Sequence, residues 1–293
     1  MRQNYRVKTF ADTRRFIFDS LKKAGKENAA LDAALLTAAA LGITPSYLYA
    51  HPEDALSAEE QELCERFLER RLNGECTAYI TGHKEFRFLN LHVDGHVLVP
   101  RPETETLVEA ALRHCNKIIT NENEGGLLDA VHVLDLCTGS GAVALALKYE
   151  RPALEVYASD ISEEALNIAA KNAGLHNLDV HFIQSNLFES ISGTFNLITA
   201  NAPYIPAPRI QSLPPEVKAE PRLALDGGKD GLDLIRAIIM DAPRYLRSDG
   251  ALMLEASPEQ MPDITRRMQN AGFSDVQIYN DLAGRGRVAA SFL

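Results

Sequence analysis

After residue 131 the sequence alternates short apolar runs with segments whose apolar residues recur at helical spacing. Such alternation is typical of a parallel sheet that is covered by helices on both faces. The predicted strands occupy residues 131–136, 156–160, 180–184, 195–200 and 251–255, and the predicted helices occupy residues 143–149, 163–173, 233–246 and 258–271. We therefore expect an α/β domain with a Rossmann-like sheet.

Two more strands are predicted further along, over residues 275–279 and 287–292. The segment between them, Asp281 to Gly286, is long enough for a hairpin and too short for a crossover helix. The predicted sheet therefore has seven strands and ends in an antiparallel hairpin.

The chain before about residue 72 has a different pattern, with apolar residues at helical spacing. Thr44-Pro45 and His51-Pro52 are interpreted as breaks between helices. Ser57 and Glu60 have the spacing of a capping box, which would open the last helix. These features predict a small all-α bundle. Its helices are expected over residues 13–24, 29–41 and 57–72.

The spacing changes again after residue 78, where residues 86–99 carry several Phe, Leu and Val side chains. Asn90 and Asp94-Gly95 punctuate this segment, which we interpret as a β-hairpin. An amphipathic helix follows it, and then a polar loop over residues 121–126. The predicted regions are a helical bundle over residues 1–80, a hairpin linker over residues 81–100 and a catalytic domain over residues 101–293.

Composition excludes several classes of protein. The apolar runs are shorter than the roughly 20 residues that span a bilayer, and the first residues lack the apolar core of a signal peptide. The four cysteines form no CxxC pair, so neither a zinc site nor a disulfide framework is indicated, and reduced thiols in the cytoplasm fit best. The net charge is −10, with most of the acidic excess after residue 100, which argues against nucleic acid as the main ligand.

A glycine-containing segment, Asp135 to Gly141, follows the first predicted strand and precedes a helix. Gly139 and Gly141 would let the backbone turn tightly and leave N–H groups free to face a ligand. The alternative is a turn that only joins the strand to the helix. A dinucleotide site would need a third glycine, but Ala142 to Ala144 follow Gly141. The loop therefore favours S-adenosylmethionine, which carries no phosphate, over NAD.

Two further strand ends carry candidate cofactor contacts. Asp160 ends the second strand, where a carboxylate could accept hydrogen bonds from both ribose hydroxyls. The alternative is a capping role, since Ser162 opens a helix directly afterwards. At the end of the third strand, Asn186 and Leu187 could contact adenine, or could simply form a polar turn before a buried pair.

The end of the fourth strand carries Asn201-Ala202-Pro203-Tyr204. The amide of Asn201 both donates and accepts, Pro203 holds the Ala202 carbonyl in an extended segment, and Tyr204 offers a flat apolar face. Such a group suits a planar –NH2 that must be aimed at a methyl group. An ordinary Asn-Pro turn is the alternative.

These segments carry a resemblance to the HemK-like N5-glutamine methyltransferases, which modify the glutamine of the Gly-Gly-Gln loop in peptide-chain release factors. The resemblance covers nearly the whole chain. Its motifs are GECTAYITGHKEF (74–86), VLVPRPETETLVE (97–109), VLDLCTGSGAVALAL (133–147), SDISEEAL (159–166), SNLF (185–188), NAPYI (201–205), EPRLALDGGKDGL (220–232) and DLAGRGRV (281–288).

The resemblance implies a class I S-adenosylmethionine-dependent methyltransferase fold, with S-adenosylhomocysteine as the product and no metal. By the same likeness the N-terminal helices would help dock a release factor, and we expect a monomer. The implied cofactor-binding residues are Cys137, Thr138, Gly139, Ser140, Gly141, Asp160, Asn186, Leu187 and Asn201. The implied catalytic and glutamine-binding residues are Asn201, Ala202, Pro203 and Tyr204.

Three residues depart from the family pattern. Ala202 stands where a proline is usual, which keeps the carbonyl but loses a locked φ. Cys137 replaces a common glycine, and Asn186 stands where Asp is usual. Ala202 and Asn186 leave a catalytically weak protein that binds S-adenosylmethionine as one alternative. A ribosomal-protein glutamine methyltransferase is another, because that related family uses a similar Asn-Pro-Pro-Tyr motif. A nucleic-acid methyltransferase and an NAD-dependent enzyme are weaker alternatives.

Overall fold

The computed structural model describes residues 8–123 and 130–293. Within these residues the chain forms two compact units. The first unit contains the described residues up to His83 together with Pro214–Ala219, and the second contains Lys84–Leu213 and Glu220–Leu293. The sequence prediction did not assign residues 214–219 to the first unit.

The first unit is helical. Buried side chains from three helices, Ile17, Leu36 and Leu68, belong to its core. The capping box at Ser57 is confirmed, since the Ser57 hydroxyl accepts from the Glu60 N–H and the Glu60 carboxylate accepts from the Ser57 N–H. The helices are α1 (Phe10–Lys23), α2 (Ala29–Leu41), α3 (Pro45–Ala50), α4 (Ala58–Leu72) and α5 (Thr77–Thr81).

The interpretation of Thr44-Pro45 as a simple break was incomplete, because these residues open α3. The Thr44 hydroxyl accepts from the Tyr47 N–H, and Pro45 occupies the first helical position. Proline is favoured there because its missing N–H would have no partner inside the helix. The sequence pattern did not reveal α3 because it has only six residues.

A buried ion pair ties together separate parts of the first unit. Asp32 on α2 accepts from Arg71 on α4 at 2.8 Å and from the Thr77 hydroxyl at 2.7 Å. Arg71 also lies 3.5 Å from the carboxylate of Glu216, in the later segment of the same unit. The Asp32 and Arg71 side chains are each 8% exposed, so neither charge has much access to water.

The structure contains the predicted hairpin, but the prediction placed it over residues 86–99 and it lies over residues 83–92. The paired strands are β1 (His83–Phe86) and β2 (Leu89–His92), and the turn lies at Arg87-Phe88. Asn90, which was taken as a turn residue, lies inside β2. Residues 93–99 are not a strand: the Asp94 carboxylate accepts from the His96 N–H and turns the chain locally, although their valines are buried.

The second unit contains the predicted seven-stranded sheet. Its strands are β3 (His132–Leu136), β4 (Glu155–Asp160), β5 (His181–Gln184), β6 (Phe195–Ala200), β7 (Leu246–Glu255), β8 (Ser274–Asn280) and β9 (Gly286–Phe292). Their order is β5-β4-β3-β6-β7-β9-β8, with β9 antiparallel to both neighbours. The α/β fold and the antiparallel end of the sheet are confirmed.

Helices flank the sheet, and two apolar clusters form the core. The predicted helix over residues 233–246 was too long, because it ends at Asp241 and Ala242–Arg244 form a 3-10 turn around Pro243, which lacks an N–H. The loop predicted at 121–126 is helical up to Asn123, and its remainder lies outside the described residues. The helices are α6 (Glu105–Asn123), α7 (Ala142–Glu150), α8 (Glu163–His176), α10 (Asp233–Asp241) and α11 (Met261–Asn270), and α9 (Pro215–Lys218) belongs to the first unit.

Among the residues that the structure describes, no helix combines the length and apolar character needed to cross a membrane.

The sheet order reverses at β3, whose parallel neighbours are β4 on one side and β6 on the other. Such a reversal leaves a crevice at the carboxyl ends of the strands, which is where open α/β sheets bind ligands. The fold therefore predicts a ligand site at the carboxyl ends of β3, β4 and β6.

The Asp32–Arg71 pair generates a stability prediction. Asp32→Ala should lower the free energy of unfolding of the first unit by about 3 kcal/mol, because it leaves a buried guanidinium without its main partner. Glu62→Ala removes an exposed partner of Arg66 on α4 and should cost at most about 0.5 kcal/mol. Urea denaturation followed by circular dichroism measures both. Equal losses in the two variants would contradict the prediction.

Candidate active site

A cavity of about 250 Å³ opens at the carboxyl ends of β3, β4 and β6. Its described lining includes two aspartates, Asp135 and Asp160, and neither Lys nor Arg. The cavity therefore presents negative rather than positive groups to a ligand. The lining residues fall within residues 95–104, 135–143, 160–165, 201–203 and 221–234.

The loop after β3 forms one wall of the cavity, through Cys137, Thr138, Gly139 and Ser140. Gly139 has φ +56°, and Cys137 adopts a similar left-handed conformation at +56° although it carries a side chain. Gly141 has φ +82° and does not line the cavity. A Cβ added at Gly141 would lie 3.0 Å from Leu145 and 3.2 Å from Ala169, so this glycine is needed for close packing behind the loop.

Asp160 lines the cavity at the end of β4. One of its carboxylate oxygens accepts from the Gly139 N–H at 2.9 Å, and the other accepts from the Ser162 N–H at 3.0 Å. The helix-capping alternative is wrong for this residue, because Ser162 is the N-cap of α8 and its hydroxyl accepts from the Ala165 N–H. Burial raises the pKa of Asp160, while the backbone N–H groups lower it.

Asp135 is a lining residue that our list of site residues missed. Its carboxylate accepts from the Thr138 hydroxyl at 2.7 Å and from the Thr199 hydroxyl at 2.8 Å. Burial raises the pKa of Asp135 to about 6, against the lowering effect of these two hydroxyls. The signal in the sequence was an acidic residue inside an otherwise apolar strand, because a buried carboxylate needs hydrogen-bond donors around it.

Asn201 and Pro203 line the cavity beyond the end of β6. The Asn201 Nδ2 donates to the Thr104 hydroxyl at 3.1 Å. Ala202 is buried at 1% exposure and belongs to the adjacent apolar cluster. Tyr204 does not line the cavity: its hydroxyl donates to Glu255 at 3.4 Å, and burial raises its pKa above the ordinary value.

The cavity does not bring together every predicted residue. Asn186 is exposed and donates to the Glu189 carboxylate at 2.7 Å, outside the cavity lining. Leu187 has φ +49° and packs against the apolar cluster around Phe188. Their contact with adenine stays a prediction.

Two connecting segments also contribute lining residues, and the sequence prediction missed them because it placed the site only at the ends of strands. Val97, Leu98 and Pro100 come before α6, and Pro221, Leu223 and Ala224 come before α10. The buried carboxylate of Glu220 joins these segments, since it accepts from the Val99 N–H at 3.0 Å and from the Arg101 guanidinium. In the sequence, only the motifs that carry the family resemblance pointed to these two segments, because neither segment has apolar residues at a regular spacing.

Two glycines allow the backbone after Pro203 to pack closely. A Cβ at Gly227 would lie 2.6 Å from the Pro203 carbonyl oxygen, and a Cβ at Gly231 would lie 2.3 Å from the Tyr204 carbonyl oxygen. Gln260 completes this packing by donating to the same Tyr204 oxygen at 3.0 Å. The carbonyl groups of Pro203 and Tyr204 are thus held by the close approach of the two glycines and by the Gln260 side chain.

The sheet order, the glycine loop, the acidic residue that ends β4 and the antiparallel end of the sheet are together typical of a methyltransferase of the Rossmann-like class. Comparisons with known proteins agree: residues 12–82 match the PrmC N-terminal domain, and residues 119–211 match the methyltransferase small domain. The release factor glutamine methyltransferase of Deinococcus radiodurans is 36% identical over 91% of this chain and 92% of its own length. The chain belongs to the release factor glutamine methyltransferase family.

Other comparisons extend this result. The release factor glutamine methyltransferase of Pseudomonas aeruginosa is 41% identical, covering 89% of this chain and 91% of its own. A methyltransferase structure from Pyrococcus furiosus aligns with a TM-score of 0.51 and 18% identity, over 78% of this chain and 98% of that one. The structural likeness concerns the fold alone.

The close packing at Gly231 generates a second prediction. Gly231→Ala should lower the free energy of unfolding by about 2 kcal/mol more than Gly193→Ala, because its Cβ overlaps the Tyr204 carbonyl. The control glycine has φ +86°, against +82° at Gly231, and no neighbour within 4 Å of its added Cβ. Both variants therefore share the cost of a left-handed residue, about 1–2 kcal/mol. Denaturant titration compares them, and indistinguishable losses would refute the packing argument.

Proposed function

We propose that this protein transfers a methyl group from S-adenosylmethionine to the side-chain amide nitrogen of the glutamine in the Gly-Gly-Gln loop of peptide-chain release factors. The observation that carries the proposal is the Asn201 amide. It lines a cavity opposite the glycine loop and is held there by Thr104. The family membership supports the same substrate class.

The residues that line the cavity fit S-adenosylmethionine. Asp160 has carboxylate oxygens suited to ribose hydroxyls, and the described lining offers no Lys or Arg for a phosphate. The sulfonium and ammonium groups of the cofactor are positive, so two aspartates favour it and disfavour a dinucleotide. When bound, the cofactor supplies an electrophilic methyl group. We assign its binding to Cys137–Ser140, Asp160 and Asn201, with Gly141 supporting the loop.

Asn201 has the arrangement needed to orient an incoming amide. Its Nδ2 donates to Thr104, which leaves Oδ1 to accept a hydrogen from the –NH2 group of the substrate. The Ala202 carbonyl would accept the second hydrogen, and Pro203 keeps this carbonyl in an extended segment. An amide nitrogen is a weak nucleophile because its lone pair is delocalised. Fixing both hydrogens therefore aims the nitrogen and favours the positive charge that develops on it.

The proton lost from the nitrogen needs no dedicated base in this scheme. Methylation makes the nitrogen strongly acidic, so water or a backbone carbonyl suffices as the acceptor. Tyr204 lies outside the cavity lining and contacts Glu255, so its proposed role is to hold the segment that carries Asn201 and Ala202. We further propose that the helical first unit docks the release factor, that the protein acts as a monomer, and that it works in the cytoplasm without binding nucleic acid.

The test is mass spectrometry of an unmethylated release factor after incubation with this protein and S-adenosylmethionine. The expected result is a gain of one methyl on the loop glutamine. Asn201→Ala should slow transfer by a factor on the order of 100, because one oriented acceptor is lost. Calorimetry should show a smaller loss of cofactor affinity than the loss in rate, because Cys137–Ser140 and Asp160 still hold the cofactor. Asp160→Ala should instead weaken cofactor binding.

Asn90→Ala serves as the matched control, since Asn90 is exposed on β2 and its side chain lies outside the cavity. It should leave both the rate and the cofactor affinity unchanged. Binding of the cofactor without any methylated release factor would support the alternative of a binding protein. Methylation of a ribosomal protein but not of a release factor, tested in parallel, would support the other alternative.

Ala202 generates a separate prediction. Freeing a backbone residue costs up to about 1 kcal/mol, which corresponds to roughly fivefold in rate. Ala202→Pro should therefore raise the rate by up to about fivefold, and Ala202→Gly should lower it. Single-turnover rates check this order, with melting temperature as the control because Ala202 is buried. A stably folded proline variant that is slower than the original protein would contradict the argument.

A further inference from the structure

Glu255 is the last residue of β7 and is 1% exposed. Its Oε1 accepts from the Tyr204 hydroxyl at 3.4 Å, whereas its Oε2 has no hydrogen-bond partner among the described residues. A buried carboxyl with an oxygen left over is costly, because each unsatisfied polar atom loses its contacts with water. Folding alone does not require such a group at this position.

The register of the sheet places Glu255 between two segments of the site. β6 and β7 pair with Ala200 opposite Leu254, so Glu255 comes next to the start of the Asn201–Tyr204 segment. On the other side Glu255 pairs with Val288 of β9. The carboxyl group thus lies where the substrate-binding segment meets the C-terminal hairpin.

Two hydroxyl groups link Glu255 to the side chains that line the cavity. One is Tyr204, at the end of the substrate-binding segment. The other is Thr104, which accepts from Asn201 Nδ2 and whose own hydroxyl lowers the pKa of Glu255. A single carboxylate can therefore fix the orientation of both hydroxyls, and through Thr104 the orientation of the Asn201 amide.

The charged groups that face Glu255 come from two other elements. Arg287 on β9 stabilises its ionised form, and Glu103, next to Thr104, opposes ionisation. Arg287 is itself shared with Asp281, at 3.4 Å, and Asp281 also holds Arg285, which reaches Glu103 at 3.5 Å. Burial raises the pKa of Glu255 to about 7, against the lowering effect of Thr104, Arg287 and Tyr204.

We propose that Glu255 is a positioning residue for methyl transfer, whose carboxylate accepts from the Thr104 and Tyr204 hydroxyls and thereby holds the Asn201 amide towards the substrate. This inference rests on the proposed function. The ionised carboxylate is the form that accepts from both hydroxyls, and the protonated form loses one acceptor position. The rate of transfer should therefore rise with pH as Glu255 ionises near neutral pH.

The experiment measures kcat and KM for release factor methylation between pH 5.5 and 8.5, in the unaltered protein and in Glu255→Gln. The variant should lose on the order of tenfold in kcat at pH 8, with KM for S-adenosylmethionine unchanged. It should also lose the rise with pH, because an amide does not ionise. Glu109→Gln, at an exposed residue of α6 that pairs with Arg113, makes the same substitution outside the network and should leave the profile intact.

Tyr204→Phe provides a second measurement that does not need the Glu255 variant to fold. The Tyr204 hydroxyl lowers the pKa of Glu255, so its removal should move the rise in rate to higher pH. When Tyr204→Phe is combined with Glu255→Gln, the pH profile should be the same as that of Glu255→Gln alone, since the two residues act as one unit.

Several outcomes would overturn the inference. A rise with pH that survives in Glu255→Gln would assign the ionisation to another group, such as Asp135 in the cavity lining, and would remove Glu255 from the scheme. A loss of stability in Glu255→Gln with unchanged kcat would make the residue merely structural. Absence of methylation by the unaltered protein at every pH would instead reject the proposed function itself, so the two failures are distinguishable.

Discussion

The reversal of strand order at β3 is the constraint on which the site depends. β4 and β6 lie on opposite sides of β3 in the sheet. The connections that follow β3 and β6 therefore run in opposite directions and leave a crevice between them. The glycine loop lies on one side of the crevice and the Asn201–Tyr204 segment lies on the other. The two reacting groups of a transfer reaction can therefore be held by different loops, each anchored to a rigid strand.

Burial of carboxyl groups without nearby cations gives this crevice its chemical character. Asp135 is held by two hydroxyls and Asp160 by two backbone N–H groups, so each has dipoles rather than an ion-pair partner. Dipoles satisfy a carboxylate without cancelling its charge. The cavity keeps a negative potential that matches a cationic cofactor, whereas Arg287 and Arg101 are engaged by Asp281 and Glu220.

Much of the fold could be predicted from the sequence, because a buried parallel sheet gives apolar runs at regular intervals. The strand over residues 195–200 and the helix over residues 29–41 have the predicted bounds. The hairpin at residues 83–92 was misplaced because buried valines that pack without pairing look like a strand. Pro45 was misinterpreted because proline both ends helices and begins them.

The site could be predicted only where a single residue type carries the chemistry. Asp160 ends β4, Asn201 directly follows β6, and both line the cavity, so their position at strand ends was enough to predict that they lie there. Asp135, Glu220 and Glu255 were missed because their roles depend on partners far along the chain, such as Thr199 for Asp135 and Arg101 for Glu220. Apolar periodicity contains no information about such pairs.

The same distribution of partners explains how a departure such as Ala202 can be tolerated. The backbone after Asn201 is held by Gln260 and by the close approach of Gly227 and Gly231, none of which involves the ring of a proline. Losing one locked φ costs up to about 1 kcal/mol, whereas losing an oriented polar group at a reacting centre costs about 3–4 kcal/mol. In the proposed scheme, the Asn201 amide and its support by Thr104 therefore contribute more to the geometry of transfer than the identity of residue 202.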